Sequence, residues 1–146
     1  SVNVSRLRGV PHRTAGAGGF VDITARARKI VFSGNFNAGA KMRVEDGQLV
    51  IDSEGKVAKF VDAVDQVSFS GARARELGQD VTYVTERCVI RLVEGALVVT
   101  EVAPGLDVQQ DILDQAATEL RVANDLKTMD ACLFRPGTMA LELARA

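Results

Sequence analysis

The chain has no tryptophan, one tyrosine, one histidine and two cysteines. Cys88 and Cys132 lie far apart, and no Cys or His pair has the spacing of a zinc site, so no metal is expected. Nor do two cysteines make a disulfide framework. Cys88 falls in an apolar strand pattern, where a thiol acts as a small buried hydrophobe. His12 sits in a loop-like stretch and reads as a solvated imidazole. No apolar run reaches the roughly 18 residues needed to cross a membrane. The N-terminus lacks the charged-then-apolar plan of a signal peptide. No membrane partner is therefore expected, and a cytoplasmic location is, with the mitochondrial matrix as the eukaryotic alternative. Neither sign of charge dominates: 18 basic against 19 acidic residues leave a net charge of −1. Nucleic acid is not an expected partner on that balance. The one local basic run, Arg6, Arg8, His12 and Arg13, reads as a solvated edge. The phosphate-binding G-x-x-x-x-G-K-[ST] loop and the G-x-S-x-G nucleophile turn are both missing.

What is present suits one domain over residues 1–146, with 47% apolar and 25% charged residues. Val2 and Val4 alternate with polar neighbours, as though the chain opens inside a strand. Phe20, Ile23, Ala27 and Ile30 recur at helical spacing and predict a helix from Gly19 to Arg28. Lys29 to Gly34 reads as a buried strand. Asp46-Gly47 and Glu94-Gly95 are tight-turn dipeptides between apolar runs, and Glu54-Gly55 is read as repeating the device. Val64 to Phe69, Val81 to Thr85, Cys88 to Val93 and Ala96 to Val102 are strand candidates, with one helical turn at Arg73 to Leu77. A helix is expected from Asp107, with Gln110 at capping-box spacing and Val108, Ile112, Leu113 and Ala116 on its inner face. From Thr118 the sequence shows no clean period, and a terminal helix is placed at Met139 to Ala146. The expected fold is mixed α/β, strand-rich, with antiparallel hairpins and few helices.

The most informative motif is Gly16-Ala17-Gly18-Gly19. Glycines remove the side chains that keep a ligand from the backbone. Bare amides leading into a helix can hold a carboxylate, a phosphate or a developing oxyanion. A plain tight turn is the competing account. The third glycine comes too early for G-x-G-x-x-G, which disfavours a dinucleotide fold. Asp22 is accounted for as a favourable charge near the helix start. Glu86, between two apolar runs, can orient a reacting group or make an edge-strand ion pair with a cation such as Arg87.

These residues resemble family I coenzyme A transferases, in particular the single-chain short-chain acyl-CoA and acetate or propionate enzymes. The resemblance is carried by Gly16 to Asp22, Lys29 to Gly34, Gln66 to Gly71, Tyr83 to Arg87 and Leu97 to Asp107, in order over nearly the whole chain. It implies the C-terminal part of an open-sheet domain in a larger protein built from two related halves. It also implies a ping-pong reaction on acyl-CoA and a carboxylic acid as substrates, with no permanently bound cofactor and a homo-oligomeric assembly. The family's nucleophilic glutamate precedes the glycine loop, whereas Glu45, Glu54, Glu76, Glu86, Glu94, Glu101, Glu119 and Glu142 all follow it. The resemblance therefore makes this a segment without its nucleophile, inactive alone and lacking the N-terminal part of the same protein. Gly16, Ala17, Gly18 and Gly19 would line the substrate site, and Glu86 would support it. A non-catalytic β-rich assembly module is the alternative.

Overall fold

The computed structural model describes residues 1–5 and 15–139. The basic run with His12, and all but Met139 of the helix expected at Met139 to Ala146, lie outside the described residues. The framework is a five-stranded sheet in the order β1 (Lys29–Ser33), β6 (Asp80–Val84), β7 (Cys88–Val93), β8 (Ala96–Val102), β9 (Arg121–Thr128). Its two outer pairs are parallel and its two inner pairs antiparallel. Between β1 and β6 the chain forms the β3 (Lys41–Glu45) to β4 (Gln48–Ser53) hairpin, the short β2 (Asn37–Ala38) and β5 (Val57–Ala58) pair, and helix α2 (Gly71–Glu76). The mixed, strand-rich α/β expectation is borne out.

Two hairpins follow directly from their turn residues. Asp46 and Gly47 have φ of 51° and 77°, and Glu94 and Gly95 have 51° and 89°. Two consecutive positive φ values give the turn whose twist matches antiparallel strands. Glu54-Gly55 is different: Gly55 has no positive φ and makes no hairpin turn. A Cβ there would lie 2.3 Å from Asn37 Oδ1 and 2.6 Å from the Ala38 carbonyl oxygen. This glycine is required by close packing, which the dipeptide alone does not reveal.

Helix α1 (Phe20–Arg26) is shorter than predicted. Gln79 Nε2 donates to the carbonyls of Thr24 and Ala27 at 2.9 and 2.6 Å, satisfying groups that the helix end leaves open. Phe20 and Ala27 pack inward, but Ile23 is 73% exposed, contrary to the expected apolar face. The expected helix from Asp107 is a single wide turn, Gln109–Leu113. Asp107 Oδ1 accepts from Gln110 N at the expected spacing, while Asp107 N in return donates to Asp111 Oδ2 rather than to the Gln110 side chain. Val108, Ile112, Leu113 and Ala116 do face the core.

Four expectations about strands change. Val2 and Phe69 form only an isolated antiparallel bridge, so neither Val2–Val4 nor Val64–Phe69 is a strand. The segment after Thr118 contains β9, which had no legible period. Val99 pairs with Val122 and Glu101 with Lys127, so four residues of β9 stand opposite one of β8. That irregularity breaks the two-residue alternation by which a strand is read. Strand β1 is not a buried strand but an outer one: Ile30 is buried and Val31 is 64% exposed.

Register assigns the two faces of the sheet, because paired residues share a face. Phe32, Tyr83, Ile90 and Val99 form one row on the covered face. One core cluster joins Ile90, Val99, Cys88, Phe36 and Ile112, and a second joins Ile30, Phe69, Ala74 and Val81. Val31, Thr82, Arg91, Val98 and Arg121 form a row on the opposite, less covered face.

Candidate functional site

The covered face opens into a groove of about 1100 Å³. Phe20, Phe32, Phe60, Tyr83, Leu92 and Leu97 give it an apolar lining, and charges of both signs border it, Lys59 and Arg75 beside Asp62, Asp65 and Glu94. Phe32 stacks at 5.8 Å on Phe20 and at 5.3 Å on Tyr83, which fixes the aromatic wall. Burial raises the Tyr83 phenol pKa, so it stays a neutral hydroxyl.

The glycine loop abuts this groove through Phe20; Gly16, Ala17, Gly18 and Gly19 do not themselves line it. Phe20 N donates to the Ala17 carbonyl at 3.1 Å, with Gly18 at φ 53° and Gly19 at φ −77°, ψ 2°. This is a tight turn that needs glycine at its second position. Gly16, Gly18 and Gly19 are exposed, and Ala17 is half-buried. Among the described residues, a Cβ built on Gly16 or Gly18 would meet nothing within 4 Å.

Glu86 sits in the reversal between β6 and β7, where Thr85 N donates to the Cys88 carbonyl at 3.0 Å and Thr85 Oγ1 accepts from Cys88 N at 3.0 Å. Its carboxylate accepts from Phe36 N, at 2.9 Å through Oε2 and 3.2 Å through Oε1. The ion pair to Arg87 is looser, with Nε 3.4 Å from Glu86 Oε1 and without hydrogen-bond geometry. Glu86 does not line the groove, although its neighbour Thr85 does, as do Gly34 and Asn35 ahead of Phe36.

Sequence reasoning missed the cluster around Arg87. This fully buried guanidinium donates to Glu54 Oε1 from Nη1 at 2.9 Å and to Glu54 Oε2 from Nη2 at 2.6 Å. Nη1 also donates to the Asp111 carbonyl at 2.9 Å, and the group lies 5.2 Å from the centre of the Phe36 ring. Asn37 Nδ2 donates to Glu54 Oε2 at 2.7 Å, and Gly55 N donates to Asn37 Oδ1 at 3.1 Å. The Arg87 hydrogen bond holds the Glu54 carboxyl below its ordinary pKa. Two consecutive residues, Glu86 and Arg87, thus fasten Phe36 and Asn37 by backbone and by side chain. That segment leads into Ala38 and its strand partner Val57, both on the groove wall. Beside them, burial pushes the Cys88 thiol up to about 12, with the Glu86 charge adding to it. Among the described residues no three potential ligands gather to hold a metal, and no helix is long and apolar enough to cross a membrane.

Comparisons with known proteins agree with the resemblance to CoA-transferases. Over 136 residues the chain is 46% identical to the caffeate CoA-transferase of Acetobacterium woodii, covering 92% of this chain and 26% of that protein. It is 42% identical over 147 residues to the acetate CoA-transferase YdiF of Escherichia coli K12, covering 100% of this chain and 27% of that one. The crystal structure of the acyl-CoA transferase YdiF from E. coli O157:H7, as a thioester complex with CoA, superposes with a TM-score of 0.92. That match has 41% identity and covers 99% of this chain and 28% of the solved one. The apoenzyme superposes equally well. No family model matches the chain. The chain spans about a quarter of the length of the curated relatives it matches.

Proposed function

We propose that the chain is the C-terminal segment of an acyl-CoA:carboxylate CoA-transferase of short-chain acid metabolism, with residues 1–146 packing as one domain of a cytoplasmic homo-oligomer. The observation that supports this best is the superposition of 99% of this chain on 28% of a CoA-transferase whose crystal structure is a thioester complex with CoA. In this reading a glutamate outside these residues attacks the thioester carbonyl of acyl-CoA, and the CoA thiolate leaves. The thiolate then attacks the glutamyl carbonyl of the resulting anhydride and expels the acyl group as its carboxylate. A second carboxylic acid reverses both steps and takes the CoA away.

Each attack turns a planar carbonyl into a tetrahedral oxyanion, so the site needs fixed donors at that oxygen. The Gly18 and Gly19 amides are assigned that role, with Gly16 and Ala17 shaping the turn. Glu86 holds the Phe36 amide and so positions the strand segment beside the groove. CoA and acyl-CoA are substrates rather than resident cofactors.

The test is transfer of CoA from an acyl-CoA to a free carboxylate, followed by the acyl-CoA product. The longer polypeptide should catalyse it and the 146-residue chain should not. Transfer by the 146-residue chain alone would overturn the assignment of the nucleophile to the missing part.

A further inference from the structure

The two outer strands of the main sheet are built in opposite ways. Strand β9 pairs irregularly with β8 and carries exposed Arg121, Asn124, Asp125 and Lys127. Charge and irregularity are how a sheet protects a true edge from pairing with another chain. Strand β1 has neither device along its length. Its five residues pair with β6 in unbroken register, and only Lys29, at its start, is charged.

Backbone bonds fix which groups of β1 are spoken for. Asp80 N donates to the Arg28 carbonyl at 2.9 Å, and Gly34 N donates to the Val84 carbonyl at 3.1 Å. Because successive residues of a strand direct their N–H and C=O to opposite sides, Ile30 and Phe32 bond towards β6. Lys29, Val31 and Ser33 present theirs to the outer edge, where no strand pairs among the described residues. Val31 also places a β-branched apolar side chain on the less covered face, and Ile23 of the preceding helix is exposed as well.

We infer that β1 is an interior strand of the parent protein's sheet. Its outer edge, unpaired among the described residues, takes a strand supplied by the roughly three quarters of the relatives' length that this chain does not span. The inference rests on the proposal that the chain is a segment of a longer transferase. The regular, apolar edge and the superposition of 99% of this chain on 28% of a solved CoA-transferase both point to that occupant. The incoming segment is extended and sets an apolar side chain against Val31.

Amide hydrogen exchange on the longer polypeptide tests this. Val31 and Ser33 should be protected about as well as Ile30 and Phe32, roughly 100-fold or more over an open amide. That protection should not change with protein concentration. Fast exchange at Val31 and Ser33 beside slow exchange at Ile30 and Phe32 would overturn the inference. So would protection that appears only as concentration rises, which assigns the edge to a second copy, or a gene that encodes these 146 residues alone. A CoA-transfer assay on the same sample separates the two claims. Transfer with an unprotected Val31 defeats this inference only, and protection without transfer defeats the proposed function only.

Discussion

Arg87 and Glu54 meet in a two-bond fork, Nη1 to Oε1 at 2.9 Å and Nη2 to Oε2 at 2.6 Å, across 33 residues of sequence. The guanidinium is entirely buried, whereas the Glu54 side chain keeps 35% exposure. Removing one member of such a pair leaves the other charge without compensation. Glu54→Ala should therefore cost about 3 kcal/mol in urea unfolding, near the low end for a buried pair because Glu54 is part-exposed. Arg87→Lys should not rescue the site, since an ammonium cannot make the planar fork. A Glu54→Ala variant as stable as the parent chain would show that the fork contributes nothing.

The same pair sets an acid dependence. Glu54 has its folded pKa lowered from the ordinary 4.5, chiefly by the Arg87 hydrogen bond. A depressed carboxyl pKa contributes stability that is present above the unfolded value and lost as pH falls through the folded one. Stability should therefore drop below pH 4.5, and Glu54→Gln should flatten that part of the profile. Unfolding midpoints across the acid range, compared between the two proteins, check this.

The two cysteines should differ sharply in reactivity. The thiolate is the nucleophile. Burial holds Cys88 in its thiol form with a pKa of about 12. Cys132 is only part-buried, and the Asp130 carboxylate raises its pKa through a hydrogen bond. Iodoacetamide at pH 8 should label Cys132 slowly in the native protein and Cys88 only after denaturation, read by intact mass and peptide mapping. Fast native labelling of Cys88 would contradict its burial.

Two glycines should lose stability for different reasons, and one of them should also lose activity. Gly55→Ala drives a Cβ into Asn37 and Ala38, and should cost about 1–3 kcal/mol of stability as overpacking. Gly18→Val meets no neighbour among the described residues but holds a positive φ, a backbone cost of about 1–2 kcal/mol. In the longer polypeptide, Gly18→Val should lower transfer by about 100-fold or more, the scale of losing one oxyanion donor. Equal losses of activity and stability would leave Gly18 as a turn residue and nothing else.

How much of this was legible depended on how local each cause is. The Asp46-Gly47 and Glu94-Gly95 hairpins were readable because two adjacent residues set the turn. The β9 strand was not, because a multi-residue irregularity opposite Thr100 scrambles its alternation. Ile23 fits a helical face by spacing, yet α1 is short and turns that residue outward. The glycine loop was visible as composition, but its proposed purpose came from the ordered resemblance downstream. The Arg87, Glu54 and Asn37 cluster left no local signal. Its members come from a strand reversal, a loop after β4 and a two-residue strand, and only the folded sheet brings them together. Glu86 was visible as an acid between apolar runs, whereas its main partner, a backbone amide 50 residues away, was not.

The central claim is that this chain shapes a CoA-transferase site but does not carry its nucleophile. Incubating the longer polypeptide with an acyl-CoA and no acceptor acid should leave CoA on a glutamate, and peptide mass spectrometry locates it. The account predicts the adduct on a glutamate outside these 146 residues. An adduct on Glu86, Glu54 or any other glutamate of this chain would contradict it.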